Sequence, residues 1–399
     1  MNNETIKVDP QAEASLKKLL EKLERELVPA EHDQIREHFM KTMRWEYVER
    51  PPLRLLFQER LQTVDEKSSN MYPICEAVND PAKMMINELW YGRASTMGWL
   101  EVRDSQPLQI RPNLGLGLCA STFGAEIGVV GNNPPWVEPL TKDSTKIADA
   151  VRKALDEHDV DDAPNRGWIP RAAQFYGYFK KILAEYPNAE KCVAVVIPDL
   201  QGPFDTAAML WGSDIFLALY TEEELVNRLM DTIAKTQVRV HDYLRQWVGR
   251  ELLPEGYSHQ HGLMIRGNIL IRCDSNLMLS PEMFKERVLP FDEYVVRSVG
   301  GGSFHSCGKW DHNVNTILES KEFGTVDFGM NQSQYNDIDT HYKVAAGYKK
   351  HLNQINTTEE DIISGKVLQK FPTGATLVYS TDGMESAKRL MEAYLKHTV

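Results

Sequence analysis

His305 and Cys307 stand two residues apart in the segment Phe304-His-Ser-Cys-Gly308. On an extended backbone such residues point to one face, so an imidazole and a thiolate can converge on one ion, and zinc accepts both donors. Two donors do not complete a tetrahedral site, and the pair also reads as a strand-end histidine bonded to a carbonyl beside a small buried cysteine. Asp274, before Ser275 and Asn276, is a candidate catalytic acid, base or orienting group; it equally suits a tight turn. Asp199 and Gln201 in Pro198-Asp-Leu-Gln-Gly-Pro-Phe204 are placed to line a facing wall. Asn331 follows Gly329-Met330, and Asp382 precedes Gly383. His259-x-His261 has the look of a metal pair, but matters only if the residues around it form a hairpin inserted over the site. Gly300-Gly301-Gly302 precedes a strand instead of opening a helix, so a helix-ending turn is expected there.

Alternating elements must position these groups. Apolar or β-branched runs predict strands over 53–57, 115–119, 192–197, 268–273, 303–305, 325–328, 351–355 and 376–379. Amphipathic segments between them predict helices over 81–97, 146–157, 172–185, 222–248, 281–299, 312–319, 340–348, 359–371 and 386–397. Two further helices, 11–27 and 30–43, precede Pro51-Pro52, which ends helical backbone. Eight strand-helix units with crossovers long enough for parallel pairing favour a (β/α)8 TIM barrel, residues 51–399, behind a helical N-terminal extension, residues 1–50. The wide spacing of the first three strands implies insertions. In a barrel, side chains at the C-terminal strand ends form the active site, which is where the residues above fall. The His259/His261 pair would lie at the opposite end.

Composition narrows the partners. Among 399 residues, 45 Lys+Arg against 57 Asp+Glu leave a net charge of −12, which argues against a nucleic-acid partner. No apolar run is long enough to cross a membrane, and the start MNNETIKVDPQ lacks a signal-peptide pattern, so a cytoplasmic location is expected. Five dispersed cysteines do not make a disulfide framework.

The segment DSNLMLSPEMFKERVLP, from Asp274 to Pro290, resembles the aspartate and "(L)MSPE-F-E-F-LP" pattern of the uroporphyrinogen decarboxylase superfamily. Phe304 to Gly308 resembles its "HxCG" strand end, Gly202-Pro203-Phe204 with Trp211-Gly212-Ser213 its "GPF…G" segment, and Gly374 to Gly383 its final strand and loop. The branch most similar is that of zinc-dependent, corrinoid-linked methyltransferases. That resemblance implies zinc on His305 and Cys307 and a methyl group moved between a small molecule and a corrinoid carried by a partner protein. It also implies a second cysteine in the last loop. The sequence has Ser380, Thr381 and Asp382 there and no cysteine after Cys307, leaving Asp382 as the candidate oxygen ligand. Asp274 and His305 are the expected catalytic residues, with Asp199, Gln201, Asn331 and His261 expected at the substrate. The arginine-rich signature of the tetrapyrrole decarboxylases, which resembles "MRQAGRY", has no counterpart between Arg44 and Arg60. Two alternatives are a metal-free decarboxylase or lyase acting on a small carboxylated substrate, and a non-catalytic corrinoid- or small-molecule-binding barrel. A monomer and a homodimer are both compatible with the sequence.

Overall fold

A computed structural model describes residues 6–57, 71–90, 95–248, 252–260 and 262–399; His261 therefore lies outside the described residues. The chain opens with helices α1 (Pro10–Glu26) and α2 (Pro29–Met43). The Asp9 carboxylate accepts from the Gln11 amide and caps α1, and both helices carry proline in the first turn, where its missing donor costs nothing. Ala12, Leu16, Leu20 and Leu23 form the buried stripe of α1, as their three- and four-residue spacing requires.

Twelve strands follow among the described residues: β1 (Leu53–Phe57), β2 (Gln109–Ile110), β3 (Ile127–Gly128), β4 (Trp136–Val137), β5 (Ala194–Val195), β6 (Tyr257–Gln260), β7 (Leu263–Arg266), β8 (Ile269–Arg272), β9 (Gly302–His305), β10 (Phe323–Asp327), β11 (His351–Asn356) and β12 (Ala375–Thr381). Six of them form one parallel sheet in the order β1-β12-β11-β10-β9-β8. Every residue of β1, β8 and β9 is buried, the pattern of strands covered on both faces. Long helices such as Glu223–Arg245 and Leu289–Ser298 supply the cover, their apolar faces joining Ile269, Ile271 and Phe304 in one core.

The sheet is not closed, which corrects the expected eight-stranded ring. β2 and β5 pair with each other in a separate two-stranded parallel ribbon. With two residues each, they are too short to carry a ladder on their outer edges. At the edge of β1 the Leu55 amide donates to the Asp104 carboxylate (2.8 Å) and the Leu53 amide to the Ser105 hydroxyl (3.3 Å), so side chains replace a neighbouring strand. At the edge of β8 the Gly202 amide donates to the Arg272 carbonyl at 2.7 Å. A Cβ on Gly202 would stand 2.7 Å from that same oxygen, so only glycine allows this approach. The strand expected over 115–119 is also displaced: the strand is Gln109–Ile110, and Leu118–Ser121 forms a short helix. The run 192–197 contributes only β5, because Cys192 ends the helix Pro187–Cys192.

Two antiparallel hairpins fill the long insertions, β3-β4 and β6-β7. The second packs against the starts of β9 and β10, where the Ser303 hydroxyl donates to the Arg266 carbonyl (2.8 Å) and the Arg266 amide to the Thr325 hydroxyl (3.3 Å). Met264 on this hairpin joins Phe39, Met40 and Met43 of α2 in a small core of their own. Its turn reaches β2 and the loop before it, the Gln106 amide donating to the Gly262 carbonyl at 2.9 Å and that of Gln109 to the Leu263 carbonyl at 2.6 Å. No helix among the described residues is long and apolar enough to cross a membrane.

Candidate active site

Strand register assembles the site. Arg272 on β8 and Asp327 on β10 both pair with His305 on β9, so three chemically active side chains fall at one level near the C-terminal ends of adjacent parallel strands. His305 is the last residue of its strand, and the chain then carries Cys307 back toward it: Cys307 Sγ lies 3.4 Å from His305 Nε2. Two residues beyond Arg272, Asp274 opens a 3-10 turn, and its Oδ1 lies 3.6 Å from His305 Nε2. The Cys307 amide donates to the same Asp274 oxygen at 2.8 Å. Asp274, His305 and Cys307 thus present one ligand atom each within 4.8 Å of one another.

Each of these side chains is held from behind. His305 Nδ1 contacts Asp327, which directs Nε2 toward Asp274 and Cys307. Asp327 also accepts from the Gln354 amide at 2.7 Å. Burial and the Arg272 guanidinium oppose a charge on His305, but the buried Asp327 carboxylate outweighs both and holds its pKa up at about 9. Asp205 accepts from the Asp274 amide (2.7 Å) and the Ser275 amide (3.1 Å), fixing the turn that presents Asp274. Burial, with the Asp274 carboxylate nearby, raises the Asp205 carboxyl to about 6. Gly329 borders the cluster with φ +74°; a Cβ there would stand 3.0 Å from Cys307 Sγ and 3.3 Å from His305 Cε1. Only glycine satisfies both demands.

The cluster opens on a cavity of about 750 Å³. Apolar surface comes from Ile110, Val196, Trp136 and Met330, and polar surface from Gln201, Asp199 and two arginines, Arg111 and Arg272. Asp199 bridges the arginines, with Arg111 Nη1 on Oδ2 at 3.0 Å and Arg272 Nε on Oδ1. Burial alone would raise the Asp199 pKa, yet the two guanidinium groups, Arg272 first, hold it down at about 2.

The other residues expected from sequence fall in different places. Gln201 is buried and lines the cavity. Asn331, in left-handed backbone at φ 59°, lies beyond it and donates to the Ser380 hydroxyl at 2.7 Å, tying the ends of β10 and β12 together. Asp382 is exposed and does not belong to the three-residue ligand group. His259 is buried in β6 among the residues of a separate, small cavity. Sequence reasoning passed over Arg272, Arg111 and Asp205. An arginine inside the apolar run Ile269-Leu-Ile-Arg-Cys273 was the available signal for the first. For Arg111 the misplaced second strand hid its position at a strand end.

No family model and no curated protein sequence matches the chain. Solved structures do match. One is a methyltransferase from Methanosarcina mazei, which aligns over 91% of this chain and 98% of its own with 14% identity and a TM-score of 0.61. At that identity the likeness establishes a shared fold.

Proposed function

We propose that the protein is a methyltransferase of the uroporphyrinogen decarboxylase superfamily, moving a methyl group between a small molecule and a corrinoid held by a partner protein, with zinc on His305, Cys307 and Asp274. The observation that carries this reading is the convergence of imidazole, thiol and carboxylate within 4.8 Å at the ends of two parallel strands. The Asp327 contact to His305 Nδ1 adds to it, since ligating histidines regularly rest their second nitrogen on a carboxylate. Sequence motifs and the fold shared with the Methanosarcina mazei methyltransferase point the same way. We further read the six-stranded sheet and the β2-β5 ribbon as a ring of eight interrupted at two seams, in which each seam still carries a hydrogen bond.

In this reading the third ligand is Asp274, where sequence reasoning had placed Asp382. A bound zinc ion would polarise the heteroatom that gives or takes the methyl group. The chain's own groups do the rest. Asp327 fixes the ring of His305, the Cys307 amide orients the Asp274 carboxylate, and Asp205 keeps the Asp274 turn from moving. The apolar walls exclude water from a strongly nucleophilic cobalt centre approaching the methyl group. Reduced corrinoid incubated with the enzyme and a panel of methyl ethers, methylamines and methyl thioethers tests this. Loss of the cobalt(I) spectrum with at least one donor is expected; no methylation with any donor class would reject it.

A further inference from the structure

Arg111 and Arg272 give the cavity a cationic wall that the methyl-transfer chemistry itself does not use. Arg272 is 5% exposed, and Arg111, whose side chain is 13% exposed, faces it across Asp199. Together they bring two guanidinium groups to one carboxylate held ionised, because Asp199 is bound on both oxygens and its pKa is about 2. The other acid beside Arg111 is Glu88, which accepts from the Asn113 amide at 3.0 Å and whose carboxyl pKa is pushed upward by burial. Arg272 Nη2 is buried and hydrogen-bonds to nothing among the described residues. An arginine taken out of water with part of its fork unmatched is costly unless a ligand completes it.

Its neighbours in the cavity define what would do so. The wall adjoins the reacting cluster, since Arg272 and His305 are register partners on adjacent strands. The same cavity carries apolar surface from Ile110, Val196 and Trp136, suited to a hydrocarbon body. The planar, five-donor guanidinium fork matches a carboxylate better than any neutral polar group. The protein as a whole carries a charge of −12, so it repels anions at long range and only a local, desolvated contact of this kind would hold one.

We infer that the methyl-bearing small molecule is an organic carboxylate whose carboxylate seats on the Arg272 and Arg111 wall while its methyl-bearing heteroatom faces Asp274, His305 and Cys307. This rests on the proposed methyl transfer only for the identity of the reacting end; the anion subsite stands on the arginines.

Binding of matched acid and amide pairs to the full-length protein, measured by calorimetry, separates the two. The pairs are 4-methoxybenzoate with 4-methoxybenzamide, and 3-(methylsulfanyl)propanoate with its amide. At least one acid is expected to bind about 10- to 100-fold more tightly than its amide, the scale of one or two charge-assisted hydrogen bonds. Arg272→Met should abolish that preference, and Lys235→Ala, on the exposed side of the helix Glu223–Arg245, should keep it. Because Arg272→Met leaves Asp199 with one partner fewer and can fail to fold, Arg111→Gln and the paired change Asp199→Asn with Arg272→Gln are measured beside it, with a thermal melt of each. Equal affinity for acid and amide in both pairs, no binding of either acid, or a preference for the acid that survives in every folded arginine variant would overturn the subsite. A failed cobalt assay with an intact, arginine-dependent preference would instead reject the methyl-transfer reading and leave the subsite standing.

Discussion

His305 at the end of β9 and His351 at the start of β11 are equally buried, at 1% and 0% exposure, yet the pKa of the first is held up at about 9, a proton that zinc would displace from Nε2, and that of the second is pressed down to about 3. Burial acts against charge in both. What separates them is the partner: His305 Nδ1 meets the Asp327 carboxylate, whereas His351 Nε2 meets the hydroxyl of Thr376 at 3.0 Å. His259 in the β6-β7 hairpin and His32 on α2 follow His351, each lowered to about 3 by burial. The C-terminal strand ends therefore concentrate charged, partnered groups around a cavity. The opposite end, plugged by the hairpin and covered by α2, keeps its histidines neutral. One residue type keeps its proton beside a cavity at one end and packs without it at the other, and a single buried carboxylate decides which.

Removing the partnered histidine is expected to have the largest effect. His305→Ala should lower methyl transfer by about 10²- to 10⁴-fold while the thermal melt stays cooperative, checked by the cobalt assay. Activity within about twofold of wild type would move the chemistry elsewhere in the cavity. Removing only the partner should do less. Asp327→Asn keeps the shape but drops the charge, and is expected to weaken zinc binding by about 10- to 100-fold in a chelator competition. An unchanged zinc affinity would make Asp327 a packing residue.

The neutral histidines predict acid lability, with a definite sign. In the unfolded chain each binds a proton near the ordinary 6.5, and in the folded chain only near 3. Between those values the unfolded state holds more protons, so stability falls as pH drops through that window, by at most about 1.4 kcal/mol per pH unit for each histidine. Urea unfolding at pH 7, 6 and 5 measures this slope, and His351→Gln should make it shallower. A slope unaltered by His351→Gln would show that His351 already titrates normally. Thr376→Asp gives His351 a carboxylate of its own and should raise its pKa, read by NMR titration. This is the smallest effect expected here, a shift at one residue.

Much of this architecture was legible in the chain. The runs that form β8 to β12 are apolar, regularly spaced and each followed by a polar strand end, so the sequence alone sets His305, Cys307 and Asp274 at neighbouring strand ends. The first third resisted because its strands are two residues long and carry no periodicity; β2 is Gln109–Ile110, and the better-looking run 115–119 turned out to precede and enter a helix. Closure failed for a related reason, since edge amides of β1 bond to Asp104 and Ser105 side chains, which no hydrophobic pattern reveals. Within the site, the family resemblance pointed to Asp382 because it stands in the last loop, where that family's second cysteine is expected. Proximity favours Asp274, which the turn pinned by Asp205 brings to His305 from the other side.

Zinc X-ray absorption on protein purified without chelators tests most directly the proposed metal centre of Asp274, His305 and Cys307. The expected result is about one equivalent of zinc with a single sulfur neighbour near ~2.3 Å and nitrogen or oxygen neighbours near ~2.0–2.2 Å, with the sulfur lost in Cys307→Ala. Less than about a tenth of an equivalent, or a zinc shell with no sulfur, would contradict the account.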